Sequence, residues 1–266
     1  MTTTNHWPRV IGVIHLPPLP GSARGGDAAS ISAVVDRAVS DATRYVEAGL
    51  DTVIVENFGD APFVRDQVGA HVVAGMTRVI DAVRRETGLA VGVNVLRNDV
   101  LSAVAVAAMT GSRLVRANVY VGTTVTDQGL IEGRAEEVQA LIKRLGAEVE
   151  IWADVDVKHA APLAPRPVAD QAEDAVLRGL ASAVIVTGRA TGQAADPAEL
   201  AEVQGAVAGA PVYIGSGASL ATLPAIVSAT GFILGTAAKI DGLVTNAVDV
   251  ARVRAFREAA DRALRP

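Results

Sequence analysis

Along the chain, short runs of apolar and β-branched residues alternate with longer stretches in which apolar positions recur every three or four residues. The short runs predict strands at Val10–His15, Thr52–Asn57, Ala90–Leu96, Arg113–Asn118, Val149–Val157, Ala183–Thr187, Pro211–Gly215 and Gly231–Gly235. Near-continuous apolar strands of this kind are covered on both faces. The longer stretches predict helices at Ile31–Ala48, Val64–Arg85, Leu101–Thr110, Ala135–Leu145, Val168–Leu180, Pro197–Val207, Leu220–Ser228 and Val248–Leu264. Gly49, Gly88, Gly111, Gly146 and Gly179 stand where helices should stop, since glycine takes the left-handed position past a helix end without strain. Asp196-Pro197 reads as an N-cap followed by proline in the first turn.

Eight strand-then-helix units with no change of composition predict a single domain over residues 1–266. The expected fold is α/β, a closed (β/α)8 TIM barrel. An open doubly wound sheet is the competing architecture, but no GxGxxG follows Val10–His15. The connections after strands are the longer ones, above all Asn118–Gly133, Val157–Val168 and His15–Ser30. In barrels these loops carry the site.

The 266 residues are 50% hydrophobic, largely Ala and Val, and 3% aromatic. That composition suits a core of small and β-branched side chains. The net charge of −5 and the lack of basic runs argue against nucleic acid as a partner. The absence of Cys removes disulfides, thiol nucleophiles and Cys-ligated metals. The start lacks the apolar stretch of a signal peptide, and even Val100–Thr110 is too short to span a membrane. A cytoplasmic protein is expected, with peripheral membrane contact left open. Homo-oligomers are common among such proteins, and one is expected here, although no interface is legible.

Two glycine-containing turns follow the last two predicted strands: Gly215-Ser216-Gly217 and Gly235-Thr236. Glycines let backbone N–H groups approach an anion, and a helix N-terminus adds donors and a positive dipole end. These positions predict a phosphate site; ordinary turns are the plainer alternative. The segment Trp152-Ala153-Asp154-Val155-Asp156-Val157-Lys158-His159 places Trp152, Asp154, Asp156 and Lys158 on one strand face and Val155 and Val157 on the other. The charged face should point into the barrel mouth, where unpaired charges are costly. A structural Asp–Lys pair competes with a catalytic role.

Other polar residues cluster at strand ends: His15, Glu56, Asn57, Asn94, Arg97, Arg116, Asn118, Thr187 and Arg189, with Asp127 in the long fourth connection. Singly each is an ordinary hydrogen-bonder; their convergence suggests substrate contacts. His15, Glu56, Asp154 and Asp156 offer an oxygen-rich set for a divalent metal such as Mg²⁺, without HExxH or clustered His to support it. Glu56, Asp154 and Asp156 are candidate acid/base groups. Lys158 is a candidate electrostatic group, since the neighbouring carboxylates should keep it charged.

Taken in order, several segments resemble the BtpA family, also called BtpA/SgcQ. They are Ile11–Gly21, Val55–Phe63, Gly92–Asp99, Val125–Gly133, Ala153–Ala160, Val186–Gly192, Gly215–Gly217 and Gly235–Lys239. The resemblance runs from Val10 to the final helix. It implies a barrel of the ribulose-phosphate-binding type, an association with photosystem I biogenesis in some photosynthetic members, and sugar metabolism in others. Asp156, Arg189 and Tyr120 depart from residues common in relatives, which puts a shared substrate in doubt.

Three functions are therefore expected in turn. The first is an enzyme acting on a phosphorylated sugar or nucleotide-like molecule by acid/base chemistry, as an isomerase, epimerase or lyase. The second is a non-catalytic assembly factor. The third is prenyl transfer to a phosphorylated acceptor, which calls for a long apolar groove.

Overall fold

Each β-branched run pairs with its neighbours in parallel, and the eight runs close on themselves. The computed structural model describes residues 7–25, 30–157, 160–188, 195–207 and 209–263. Its strands are β1 (Val10–His15), β2 (Thr52–Glu56), β3 (Ala90–Asn94), β4 (Leu114–Ala117), β5 (Thr123–Thr126), β6 (Gly129–Glu132), β7 (Glu150–Val155), β8 (Ala160–Pro162), β9 (Ala183–Thr187), β10 (Val212–Ser216) and β11 (Gly231–Leu234). The closed order is β1-β11-β10-β9-β7-β4-β3-β2, and β5, β6 and β8 form a separate antiparallel ribbon. The helices are α1 (Ile31–Glu47), α2 (Ala70–Thr87), α3 (Val100–Thr110), α4 (Ala135–Leu145), α5 (Val168–Glu173), α6 (Pro197–Ala206), α7 (Leu223–Ile226) and α8 (Val250–Arg262).

Strand alternation splits the core in two. Ile11, Val13, Ile54, Leu114, Trp152, Ile185, Tyr213 and Ile233 fill the barrel interior. Their neighbours in sequence, such as Val53, Val55, Val115 and Val184, pack under the helices. With so few aromatics, glycines make room for those present. A Cβ on Gly12 would lie 2.6 Å from the Tyr45 ring, and the Tyr45 hydroxyl donates to the Val13 carbonyl at 2.9 Å. The bottom of the barrel is closed by Trp7, edge-on to Trp152 at 5.8 Å, with its indole N–H donating to Glu150 at 2.7 Å.

Several expected boundaries shift. Helix α2 starts at Ala70 rather than Val64. The preceding loop is tied to the β3–α3 loop instead, where the Val68 N–H donates to Asp99 at 2.8 Å. Helix α7 shrinks to Leu223–Ile226. The Thr222 hydroxyl accepts from the Ser219 N–H and donates to the Gly217 carbonyl, and such local bonds compete with helix. Gly179 is not the left-handed stop expected; Leu180 takes φ 61° in its place. Gly179 is needed for packing, since a Cβ there would sit 2.9 Å from the Tyr120 ring. The long fourth connection contains the β5–β6 hairpin.

Candidate functional site

The polar strand ends meet at the C-terminal mouth of the barrel. Register places His15, Glu56 and Asn94 side by side on β1, β2 and β3. Arg116 and Asp154 come from β4 and β7. Arg116 grips Asp154 with Nε and Nη2, each at 3.0 Å. Asn118 Nδ2 donates to the same carboxylate at 2.7 Å, and the Thr187 hydroxyl approaches it at 3.4 Å. Asn94 Nδ2 donates to Asn118 Oδ1 at 3.1 Å and to the Arg116 carbonyl. The Asp154 side chain is fully buried. Burial by itself would lower the Arg116 guanidinium, but the charge and hydrogen bonds of Asp154 reverse the sign and hold it above its ordinary value.

Glu56 is held differently. Its contact with a described side chain is His15 Nε2, 3.4 Å away, and both side chains are 9% exposed. Burial raises the Glu56 carboxyl above the ordinary range; Arg116 opposes this and Asp154 adds to it. Burial lowers His15 to about 3, with Lys239 adding to the effect. His15 is therefore a neutral imidazole facing a carboxyl that favours its proton. Three buried polar atoms around this mouth have no hydrogen-bond partner among the described residues: His15 Nδ1, Asn94 Oδ1 and Ser216 Oγ. Such groups are scarce in folded proteins and call for a reason.

Glycine again sets the spacing. A Cβ on Gly215 would lie 2.6 Å from the Thr187 hydroxyl and 3.2 Å from Arg116 Nη2. A Cβ on Gly235 would lie 3.3 Å from the His15 ring. Gly217 takes φ 81°. The dipole part of the phosphate expectation is corrected: α7 is four residues long and begins at Leu223, and a single 3-10 turn spans Thr236–Ala238. What remains at these positions is the Ser216 hydroxyl and closely packed glycine backbone.

Not every expected residue joins the cluster. Asp156 has φ 51° just after β7, so strand alternation ends before it. It lines a neighbouring cavity instead. Val157 likewise turns away from the helices and packs with Val119 and Ile131 beneath the ribbon. Asn57 ties two loops together, accepting from the Leu96 N–H at 2.7 Å and donating to Asp60 at 3.0 Å. Asp127 is exposed at the ribbon's tip, although its charge acts on Arg97. Arg97 is buried, and burial lowers it. Lys158, His159 and Arg189 lie outside the described residues.

The proposed metal quartet does not assemble. Asp154 is already saturated by Arg116 and Asn118, and a guanidinium beside it opposes a cation. Among the described residues no group of three or more His, Cys, Asp or Glu is placed to hold a metal. No helix among them is long and apolar enough to cross a membrane.

Asn98, not among the expected site residues, helps to build the mouth. Its amide donates to the Val119 carbonyl at 2.8 Å and accepts from the Val119 N–H at 2.7 Å, fixing the loop after β4. Asp99 caps α3 through the Ser102 N–H. The Asn-Asp pair before an apolar helix was the available signal.

Solved structures share this architecture at low identity. Phosphoribosyl anthranilate isomerase from Thermus thermophilus superposes with TM-score 0.55 at 12% identity, covering 97% of this chain and all of that one. Orotidine 5'-phosphate decarboxylase from Pyrococcus horikoshii gives TM-score 0.52 at 15% identity, covering 96% and 100%. By sequence the chain is much nearer to other proteins. It is 43% identical to the photosystem I biogenesis protein BtpA of Synechocystis sp., over 94% of this chain and 87% of that protein. It is 44% identical to an uncharacterized protein of Thermococcus kodakarensis, over 94% of each. Residues 7–262 match the BtpA family, and the chain belongs to that family.

Proposed function

We propose that this protein is an enzyme that moves a proton on a phosphorylated small molecule, with Glu56 as the acid/base group. The observation that carries this reading is the contrast between two buried carboxyls. Asp154 is saturated by a guanidinium and an amide, which makes it a poor base and a good fixture. Glu56 faces a neutral imidazole and is biased toward holding a proton. A carboxyl tuned upward by burial is suited to proton transfer near neutral pH.

Around Glu56, the free acceptor Asn94 Oδ1 suits an O–H or N–H of a ligand. The Arg116 guanidinium suits negative charge developing on a substrate oxygen. The phosphate would lie against Gly215, Ser216 and Gly217, with Gly235 and Thr236 beside it, where the Ser216 hydroxyl is buried without a partner. Proton abstraction next to a carbonyl, as in an isomerase, epimerase or lyase, fits this arrangement. The two structural neighbours are named for phosphorylated compounds, which is consistent with this reading.

A thermal-shift screen of sugar phosphates and nucleotides tests it, followed by proton exchange into solvent from any ligand found. A ligand whose carbon-bound hydrogen exchanges with wild type and not with Glu56→Gln supports the reading. Binding without exchange in either protein sinks the proton-transfer role.

One observation favours a second reading, a non-catalytic assembly factor; the Synechocystis relative is named a photosystem I biogenesis protein. Val125 and Leu130 lie directly opposite each other on the ribbon and are both exposed. Loss of the ribbon's outer face with no loss of ligand binding would separate the two.

A further inference from the structure

Beside the polar cluster, a cavity of about 270 Å³ runs beneath the ribbon. Whole-ligand pockets span roughly 300–1,000 Å³, so this one has room for part of a ligand. Asn118 and Asp154 are among its lining residues, so it lies next to the site that holds Glu56 and Arg116. Its walls include Val119, Val157 and Ala160, which form a small apolar cluster.

Among the described residues, the charges at its edge do not favour an anion. Arg166 lines the cavity but is paired with Asp174 at 2.7 Å. Asp156 lines it too, and carboxylates repel phosphate while accepting from N–H and O–H groups. Gln171 donates its amide to the Arg166 carbonyl. The cavity is also held in shape before any ligand arrives. Asn98 clamps the Val119 backbone from both sides, and the Gly133 N–H donates to the Gly122 carbonyl at 2.7 Å to close the ribbon's base. The Tyr120 hydroxyl donates to the Gly179 carbonyl at 2.6 Å. Preformed, small and apolar with an acceptor at its edge, the space suits a rigid ring better than a flexible chain.

We infer that this cavity receives the uncharged, planar half of the substrate, a heterocycle of nucleobase size with N–H donors on its edge. The inference rests on the phosphorylated-substrate reading above and names the substrate class, a ring joined to a sugar phosphate. The phosphate then lies at Ser216 across the mouth, and the bonds between the two halves pass over Glu56 and Asn94.

The test is calorimetric titration of the whole chain with ribose 5-phosphate, the five common nucleoside 5'-monophosphates, and the matching nucleosides. Wild type is compared with Ala160→Phe, which fills the cavity from the ribbon, and with Ala164→Trp, which fills it from an exposed loop. Circular dichroism checks that each variant folds, and the second serves if the first does not. At least one monophosphate should bind wild type tenfold or more tighter than ribose 5-phosphate. Both variants should erase that gain while leaving ribose 5-phosphate within twofold.

Monophosphates that bind no tighter than ribose 5-phosphate overturn the inference, as does a gain that survives in both variants. The phosphate reading fails separately, if nucleosides bind as tightly as their monophosphates. Nucleoside binding that either variant abolishes would then still support the cavity's role. No binding by any compound overturns both.

Discussion

Arg116 and Asp154 are joined across neighbouring strands by two parallel hydrogen bonds of 3.0 Å, with the carboxylate wholly out of solvent. Fork-on-carboxylate pairing of this kind is strong and directional. It positions the guanidinium at the mouth and removes Asp154 from proton chemistry.

Breaking that pair leaves a buried guanidinium without its counter-charge. Asp154→Asn should cost about 3–5 kcal/mol, read from urea unfolding. Glu137→Gln, which removes the exposed partner of Arg134, should cost far less, because solvent screens that pair. Equal effects from the two variants would mean that burial does not govern the Arg116–Asp154 pair.

Glu56→Gln should retain the fold and lower turnover about 10²- to 10⁴-fold on whatever substrate the screen identifies. Its stability relative to wild type should depend on pH. Folding raises the Glu56 carboxyl above its unfolded value of 4.5. The folded protein therefore keeps a proton that the unfolded chain has lost. Wild type should lose stability against the variant as pH rises from 4.5 through the folded value, and a flat difference would contradict this.

His15 works in the opposite sense. Burial depresses it from 6.5 to about 3, so below pH 6.5 the unfolded chain takes up a proton that the folded protein refuses. This contribution is fully present above pH 6.5 and declines toward pH 3, with a limiting slope of about 1.4 kcal/mol per pH unit. His15→Asn should remove that slope from the unfolding profile over pH 4 to 6.

A phosphate ester at 100 times its dissociation constant should stabilise wild type by about 2.7 kcal/mol. Ser216→Asp, which sets a negative charge where the Ser216 hydroxyl is buried, should abolish that thermal shift and itself lower the ligand-free melting temperature, since the new carboxylate is buried without a partner. A shift that persists in the variant would place the phosphate elsewhere.

Gly12→Ala should destabilise by about 1–3 kcal/mol through overpacking, because the added Cβ meets the Tyr45 ring at 2.6 Å. Denaturant unfolding reads this directly, and a neutral result would show that α1 can shift away from β1.

Much of the site was legible as a list of residues and little of it as roles. Periodicity alone put His15, Glu56, Asn94, Arg116, Asp154 and Thr187 at strand ends, and they do converge. Glu56 and Asp154 look alike in sequence, yet one is saturated and the other faces His15. That difference depends on which strands neighbour each other around the barrel. Asp156 misled because its left-handed backbone, φ 51°, ends the alternation that linked it to Asp154.

The chain's own pattern determined the barrel. Strand and helix periods are local properties of neighbouring residues, and eight repeats of one unit leave few ways to bury their apolar faces. The Thr-rich ribbon was within reach, since Thr123–Thr126 and Gly129–Glu132 flank a turn. Only the tertiary structure decided that Leu180 rather than Gly179 would turn left-handed, and that Asp154 would be clamped while burial raised the Glu56 carboxyl. Each of those depends on partners far away in sequence, where closeness in space sets both burial and charge.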